Sequence, residues 1–277
     1  MKTVKSNFEI EGIGLMSGVS TTLEICPSDK KGIRFHKNNI TIEAKVENVI
    51  SCEHCVVIGD KEELQKGNQL AQVALIEHFM AALAIVDIEA LDVYFKTPTV
   101  EIPILDGSAK LWVEKFNEIG IVGDETRKTA LSRPVTFTKG KSSIVLIPSN
   151  EETTITYSVN FDHPELKNRW ATLIQEENLN EIVEARTFGY LRDLETFQKM
   201  GYSKGVTIEN TVGLKDDGTY TTALRSEFEP IKHKILDIIG DLYLTGTNPL
   251  KLNAKILVKE AGHFLHTECA KIVKEQL

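Results

Sequence analysis

The sequence predicts an α+β protein made of two similar units, and three observations carry that prediction. Short runs alternate β-branched with polar residues, and runs of helical composition stand between them, the one at 70–85 rich in Ala and Leu and free of Gly and Pro. The order strands, helix, strand, helix then occurs twice along the chain, without obvious sequence repetition. A polar stretch, "GDETRKTALSRP" at 123–134, separates the two occurrences, so the expected domains are 1–125 and 130–277.

In the first unit, residues 1–60 read as strands and turns, with "TTLEICP", "GIRFHK" and "ITIEAKVENV" as strand candidates. From Leu70 to Ile85, "LAQVALIEHFMAALAI" has the composition of a helix. "ALDVYFK" reads as the next strand, and "SAKLWVEKFNEIG" as a second helix closed by Gly120. In the second unit "SSIVLIPS" and "TTITYSVNF" read as strands. "EFEPIKHKILDIIGDLYLTG" and "GHFLHTECAKIVKEQ" read as helices around the strand "NAKILVK". The segment 180–206 lies inside this unit as an insert.

The chain has 277 residues, 42% of them hydrophobic and 26% charged, which suits a globular protein. Net charge is −8 and no Lys/Arg stripe occurs, which argues against nucleic acid as the main partner. Neither an apolar leader nor a stretch of about 18 apolar residues is present, so no signal peptide or transmembrane segment is expected. Four cysteines are too few for a disulfide framework at this length, and a cytoplasmic location is expected. Cys52 and Cys55 form a C-x-x-C without the context of a redox or zinc motif, and read as ordinary thiols near a loop. A monomer is expected for want of an exposed apolar stripe.

Chemistry concentrates on two helices. At roughly 100° per residue, His233, Lys234, Asp237 and Asp241 share one arc of the 231–242 helix, with aliphatic residues on the other. Alone, that arc reads as a solvated face. The adjacent Glu77 and His78 are different, because they sit among Ala, Leu, Val and Met on an apolar run. A carboxylate and an imidazole are costly to bury there unless something binds them. Together the helices make a zinc site arguable. His78, His233 and Asp237 would supply two imidazoles and a carboxylate, and Glu77 would serve as a base beside them. His263 after Gly262 reads equally as a residue near a helix cap and as a general acid held by Asp241. "GIGLMSG" reads as a turn, and Ser108 of "LDGSA" as a helix N-cap. His36, His54, His163 and His266 receive no catalytic role.

The segments "GIGLMSG", "IEHFMAAL", "EIPILDGSA", "FDHP", "ARTFGYLRD", "IKHKILDIIGDL" and "AGHFLH", in this order, resemble the UDP-3-O-acyl-N-acetylglucosamine deacetylases, zinc amidases of lipid A biosynthesis. The resemblance spans nearly the whole chain. It implies two βααβ-type sandwich domains with the helices inward, each carrying a small insert, the second forming a passage for an acyl chain. It implies Zn2+ on His78, His233 and Asp237, with Glu77 as general base. His263 would stabilise charge and protonate the leaving amine, with Asp241 orienting it. Thr187 would hydrogen-bond the oxyanion, while Lys234, Phe188 and Phe161 would contact the substrate. The small-molecule partner so implied is UDP-3-O-acyl-N-acetylglucosamine. Five positions depart from the family's pattern: Met16, Leu75, Val206, Glu260 and His266. They keep two further readings in view, an amidase for another acylated amino sugar and a non-catalytic member of the fold.

Overall fold

A computed structural model describes residues 1–125 and 128–277; Thr126 and Arg127, inside the expected linker, lie outside the described residues. The fold is α+β. Two five-stranded sheets share one topology. In the first, the spatial order is Phe8–Ile13, Ser20–Pro27, Ala90–Phe95, Gly32–Lys37, Ile40–Glu43. In the second it is Val135–Lys139, Ser142–Pro148, Ala254–Lys259, Thr154–Val159, Arg169–Ile174. Each sheet therefore places its last strand in the middle, parallel to the third and antiparallel to the second. The parallel pairs are where the chain crosses over through a helix, as parallel pairing requires.

Seven α-helices occur among the described residues: α1 (Lys61–Gln65), α2 (Glu77–Ile85), α3 (Lys110–Ile119), α4 (Gln175–Val183), α5 (Leu191–Lys199), α6 (Glu229–Tyr243) and α7 (His263–Lys274). In each unit one helix precedes the central strand (α2, α6) and one follows it (α3, α7). Strands such as Ala254–Lys259 alternate strictly buried and exposed, so each sheet has one inner face. Residues from Glu77 to Ala84 are all buried, and so is nearly every residue of α6. Such helices lie inside the molecule rather than on it. One hydrophobic core runs through both units, joining Phe35, Phe79 and Trp112 to Ile144, Tyr157 and Ile239.

The contact of α2 with α6 is close because Gly240 has no side chain. A Cβ there would stand 2.0 Å from the carbonyl oxygen of Glu77. This approach sets the first turn of α2 against the middle of α6.

The helix expected from Leu70 begins instead at Glu77. Gln72–Ala74 forms a strand paired with Val57–Gly59, and Leu75 takes a left-handed conformation at φ 61°. Apolar composition alone did not separate a buried strand from a helix here. The three-stranded sheet of Val49–Ser51, Val57–Gly59 and Gln72–Ala74 is the first unit's insert. The second unit's insert contains α4, α5 and a parallel pair, Thr187–Tyr190 with Thr211–Leu214. Ser108 is not the cap of α3, which is Ala109, although its Oγ accepts from the Lys110 amide at 3.1 Å. "GIGLMSG" is a turn, as read. Glu101 accepts from the amides of Met16 and Ser17 at 2.7 and 2.8 Å and so holds it. All four cysteines are free.

Candidate active site

α6 offers side chains four residues apart, so His233, Asp237 and Asp241 rise along one line of the helix. The line faces the first turn of α2 on one side and the start of α7 on the other. That geometry gathers Glu77, His78, His233, Asp237 and His263 around one cavity of about 110 Å3, which Lys234, Thr187 and Phe188 also line, with Asp241 behind His263.

His78, His233 and Asp237 present ligand atoms within 4.8 Å of one another. Asp237 Oδ1 stands 3.7 Å from His78 Nε2 and 3.3 Å from His233 Nε2. His233 Nδ1 donates to the Ala185 carbonyl at 3.0 Å, which leaves its Nε2 as a bare lone pair. Burial, with His233 adjacent, lowers His78 to about 3 and keeps it neutral. Burial alone would raise the Asp237 carboxyl, but Lys234 and the cationic His263 hold it far below the carboxylate range. Its Oδ1 is nonetheless buried without a hydrogen-bond partner. Two neutral imidazoles facing a buried carboxylate oxygen that has no hydrogen-bond partner are unfavourable unless a cation lies between them. The donor set of two imidazoles and a carboxylate fits zinc with a position left open. Asp241, His263 and His266 also lie close together, but hydrogen bonds of 2.7 Å already fill that space.

Glu77 Oε1 and His263 Nε2 face each other at 3.8 Å. Burial raises the Glu77 carboxyl to about 7 despite the nearby His263, while its Oε2 accepts from the Val56 amide at 3.0 Å. Burial would lower His263, yet Asp241, Asp237 and Glu77 together raise it to about 9. Its Nδ1 is hydrogen-bonded to Asp241 Oδ2 at 2.7 Å. A raised carboxyl and a raised imidazole therefore meet beside the metal-type trio.

Lys234 is placed on Asp237, Nζ to Oδ2 at 2.5 Å. Thr187 is held through its amide, which donates to the Gly107 carbonyl at 2.7 Å. Phe188 stands perpendicular to the His233 ring at 6.0 Å, and Phe161 lies behind it at 5.2 Å. A second cavity of about 280 Å3, walled by Leu15, Leu194, Phe197, Val206 and Ile208, adjoins the first across Leu15, His54, Thr187 and Phe188.

Three features went unread in the sequence. His54 lines both cavities. His266 is bound to Asp241 at 2.7 Å. Arg186, next to Thr187, forms a buried two-pronged pair with Glu229 at 2.9 and 3.1 Å, across 43 residues of chain. The i,i+3 spacing of His263 and His266 was visible and Asp241 was read as holding His263, but its second bond, to His266, was not.

A family model described as UDP-3-O-acyl N-acetylglycosamine deacetylase matches residues 1–275. Curated relatives named UDP-3-O-acyl-N-acetylglucosamine deacetylase align along the full chain. One from Leptospira biflexa is 33% identical, covering 100% of this chain and 90% of its own. One from Thermosynechococcus vestitus is 31% identical over 99% and 94%. One from a Nostoc species is 34% identical over 94% and 93%.

Proposed function

The chain belongs to the UDP-3-O-acyl N-acetylglycosamine deacetylase family, and on that premise we propose that it hydrolyses the 2-acetamido group of UDP-3-O-acyl-N-acetylglucosamine in lipid A biosynthesis, with zinc as cofactor. The observation that carries this reading is that Glu77 and His263 face each other at 3.8 Å beside His78, His233 and Asp237.

When bound by those three residues, zinc supplies a Lewis acid and lowers the pKa of water. Glu77, shielded from solvent, in its ionised form takes a proton as water attacks the amide carbonyl carbon. The carbonyl π pair moves onto oxygen, where the Thr187 hydroxyl donates a hydrogen bond. The C–N bond then breaks, and cationic His263 gives its Nε2 proton to the departing amine. Asp241 keeps that imidazole oriented and charged, while Lys234 keeps Asp237 ionised. The products are acetate and the free amine. The second cavity, mostly apolar, is assigned to the 3-O-acyl chain.

Acetate release should therefore be much faster from the acylated substrate than from UDP-N-acetylglucosamine. Glu77→Gln should lower kcat by about 10²- to 10⁴-fold with metal content unchanged. Near-native turnover by Glu77→Gln, or equal turnover of both substrates, contradicts the assignment.

A further inference from the structure

Asp241 is fully buried, and one oxygen, Oδ2, takes hydrogen bonds from two imidazoles, His263 Nδ1 and His266 Nδ1, both at 2.7 Å. Its other oxygen, Oδ1, has no partner. A carboxylate held by one donor can turn about its Cβ–Cγ bond and present either oxygen, since this torsion is broad. His263 alone would leave that choice open.

His266 closes it. Its side chain is fully buried on the same face of α7 as His263. Its Nε2 lies 2.9 Å from the Tyr157 hydroxyl, which lies 2.8 Å from the Ala261 carbonyl. Burial disfavours the charged imidazole, so His266 carries one proton, and the ionised Asp241 requires it on Nδ1. The Tyr157 proton then faces the bare Nε2 and the Ala261 carbonyl. A continuous path thus runs from the sheet strand Thr154–Val159 and the turn before α7, through Tyr157 and His266, to Asp241 and His263.

We propose that His266 is a positioning residue for His263: by binding the same oxygen of Asp241 it fixes the rotation of that carboxylate, and hence the direction of the ring that faces the reacting amide. The inference rests on reading His263 as the proton donor of the deacetylation. The substrate side of His263 bears Glu77 and Asp237 at 3.8 and 3.9 Å, so a turned ring would lose its line to the leaving nitrogen.

The test uses the metal-loaded enzyme and two substitutions that differ in one property. In His266→Asn the amide nitrogen replaces Nδ1, one bond from Cγ, so the donor to Asp241 is kept and the Tyr157 contact is lost. In His266→Leu the bulk stays and the donor goes. His266→Leu should lower kcat by about 10- to 100-fold with KM nearly unchanged, and His266→Asn should recover most of that loss. By ¹⁵N-histidine NMR, the His263 Nδ1–H resonance should move in His266→Leu and keep its place in His266→Asn. The NMR readout does not depend on which substrate is turned over. If the wild type releases no acetate while the resonance moves as described, the positioning stands and the activity assignment falls. If His266→Leu does not fold, His266→Met takes its place, since it too fills the site without a donor to Asp241, and should move the same resonance. An unmoved His263 resonance in the variant that folds, or equal kcat losses in His266→Leu and His266→Asn, overturns the inference.

Discussion

Glu77 and His263 face each other with perturbations of the same direction and different cause, one carboxyl raised to about 7 and one imidazole raised to about 9. Burial acts on both, but it dominates only at Glu77. At His263 the carboxylates of Asp241, Asp237 and Glu77 overcome it. This pairs a group able to accept a proton with one able to give it, within one cavity. Thr187 completes the residue set, because its hydroxyl is the neutral donor assigned to the oxyanion. Thr187→Val keeps the shape and removes that donor. It should lower kcat by about 10²- to 10³-fold and change KM little, as steady-state kinetics would show. Glu77, His78 and the arc of α6 were legible in the sequence because helical spacing and an anomalous apolar surround are local properties. Which nitrogen of His233 is free was not legible, since the Ala185 carbonyl that decides it is 48 residues away.

Two elements set the site's dimensions. The first is the crossing of α2 and α6, where Gly240 lies against the backbone of Glu77. Gly240→Ala forces those backbones apart, which should cost about 1 to 3 kcal/mol of stability and separate His78 from His233. Thermal unfolding and metal affinity should therefore both fall, and an unchanged metal affinity would argue against the crossing as the site's ruler. The second is the Arg186–Glu229 pair, which ties the strand carrying Thr187 to the first turn of α6. Burial would raise the Glu229 carboxyl, but Arg186 and the amides of Arg186 and Arg225 outweigh it and lower it. A lowered folded value means that this stabilisation is present above the unfolded carboxyl range, about 4.3, and is lost as pH falls through the folded value. Glu229→Gln should cost about 3 to 5 kcal/mol near neutral pH by leaving Arg186 buried and unpaired. The difference in Tm between the two proteins should shrink as the solution is acidified. The helix start at Glu77 was hidden for a related reason. "LAQVALIEH" has helical composition, and only pairing with Val57–Gly59 and the turn at Leu75 divides it.

At the scale of the whole molecule, the duplication explains why the site lies where it does. Two sheets of the same topology each present an inner helix, and the two helices meet in one core. The repeated order of strands and helices was readable from the chain because each element signals itself through periodicity. The central position of each last strand was not, since nothing local to "ALDVYFK" or "NAKILVK" says which strands it joins. The inserts then close the remaining sides, one lending His54 and the other Thr187 and the apolar cavity. All of this converges on His78, His233 and Asp237 as a cation site. The most direct test is the zinc content of protein purified without chelator or added metal, measured alongside acetate release. About one zinc per chain in the wild type, lost together with activity in His233→Ala, is the expected result. A wild-type enzyme that releases acetate while holding no transition metal would contradict the account.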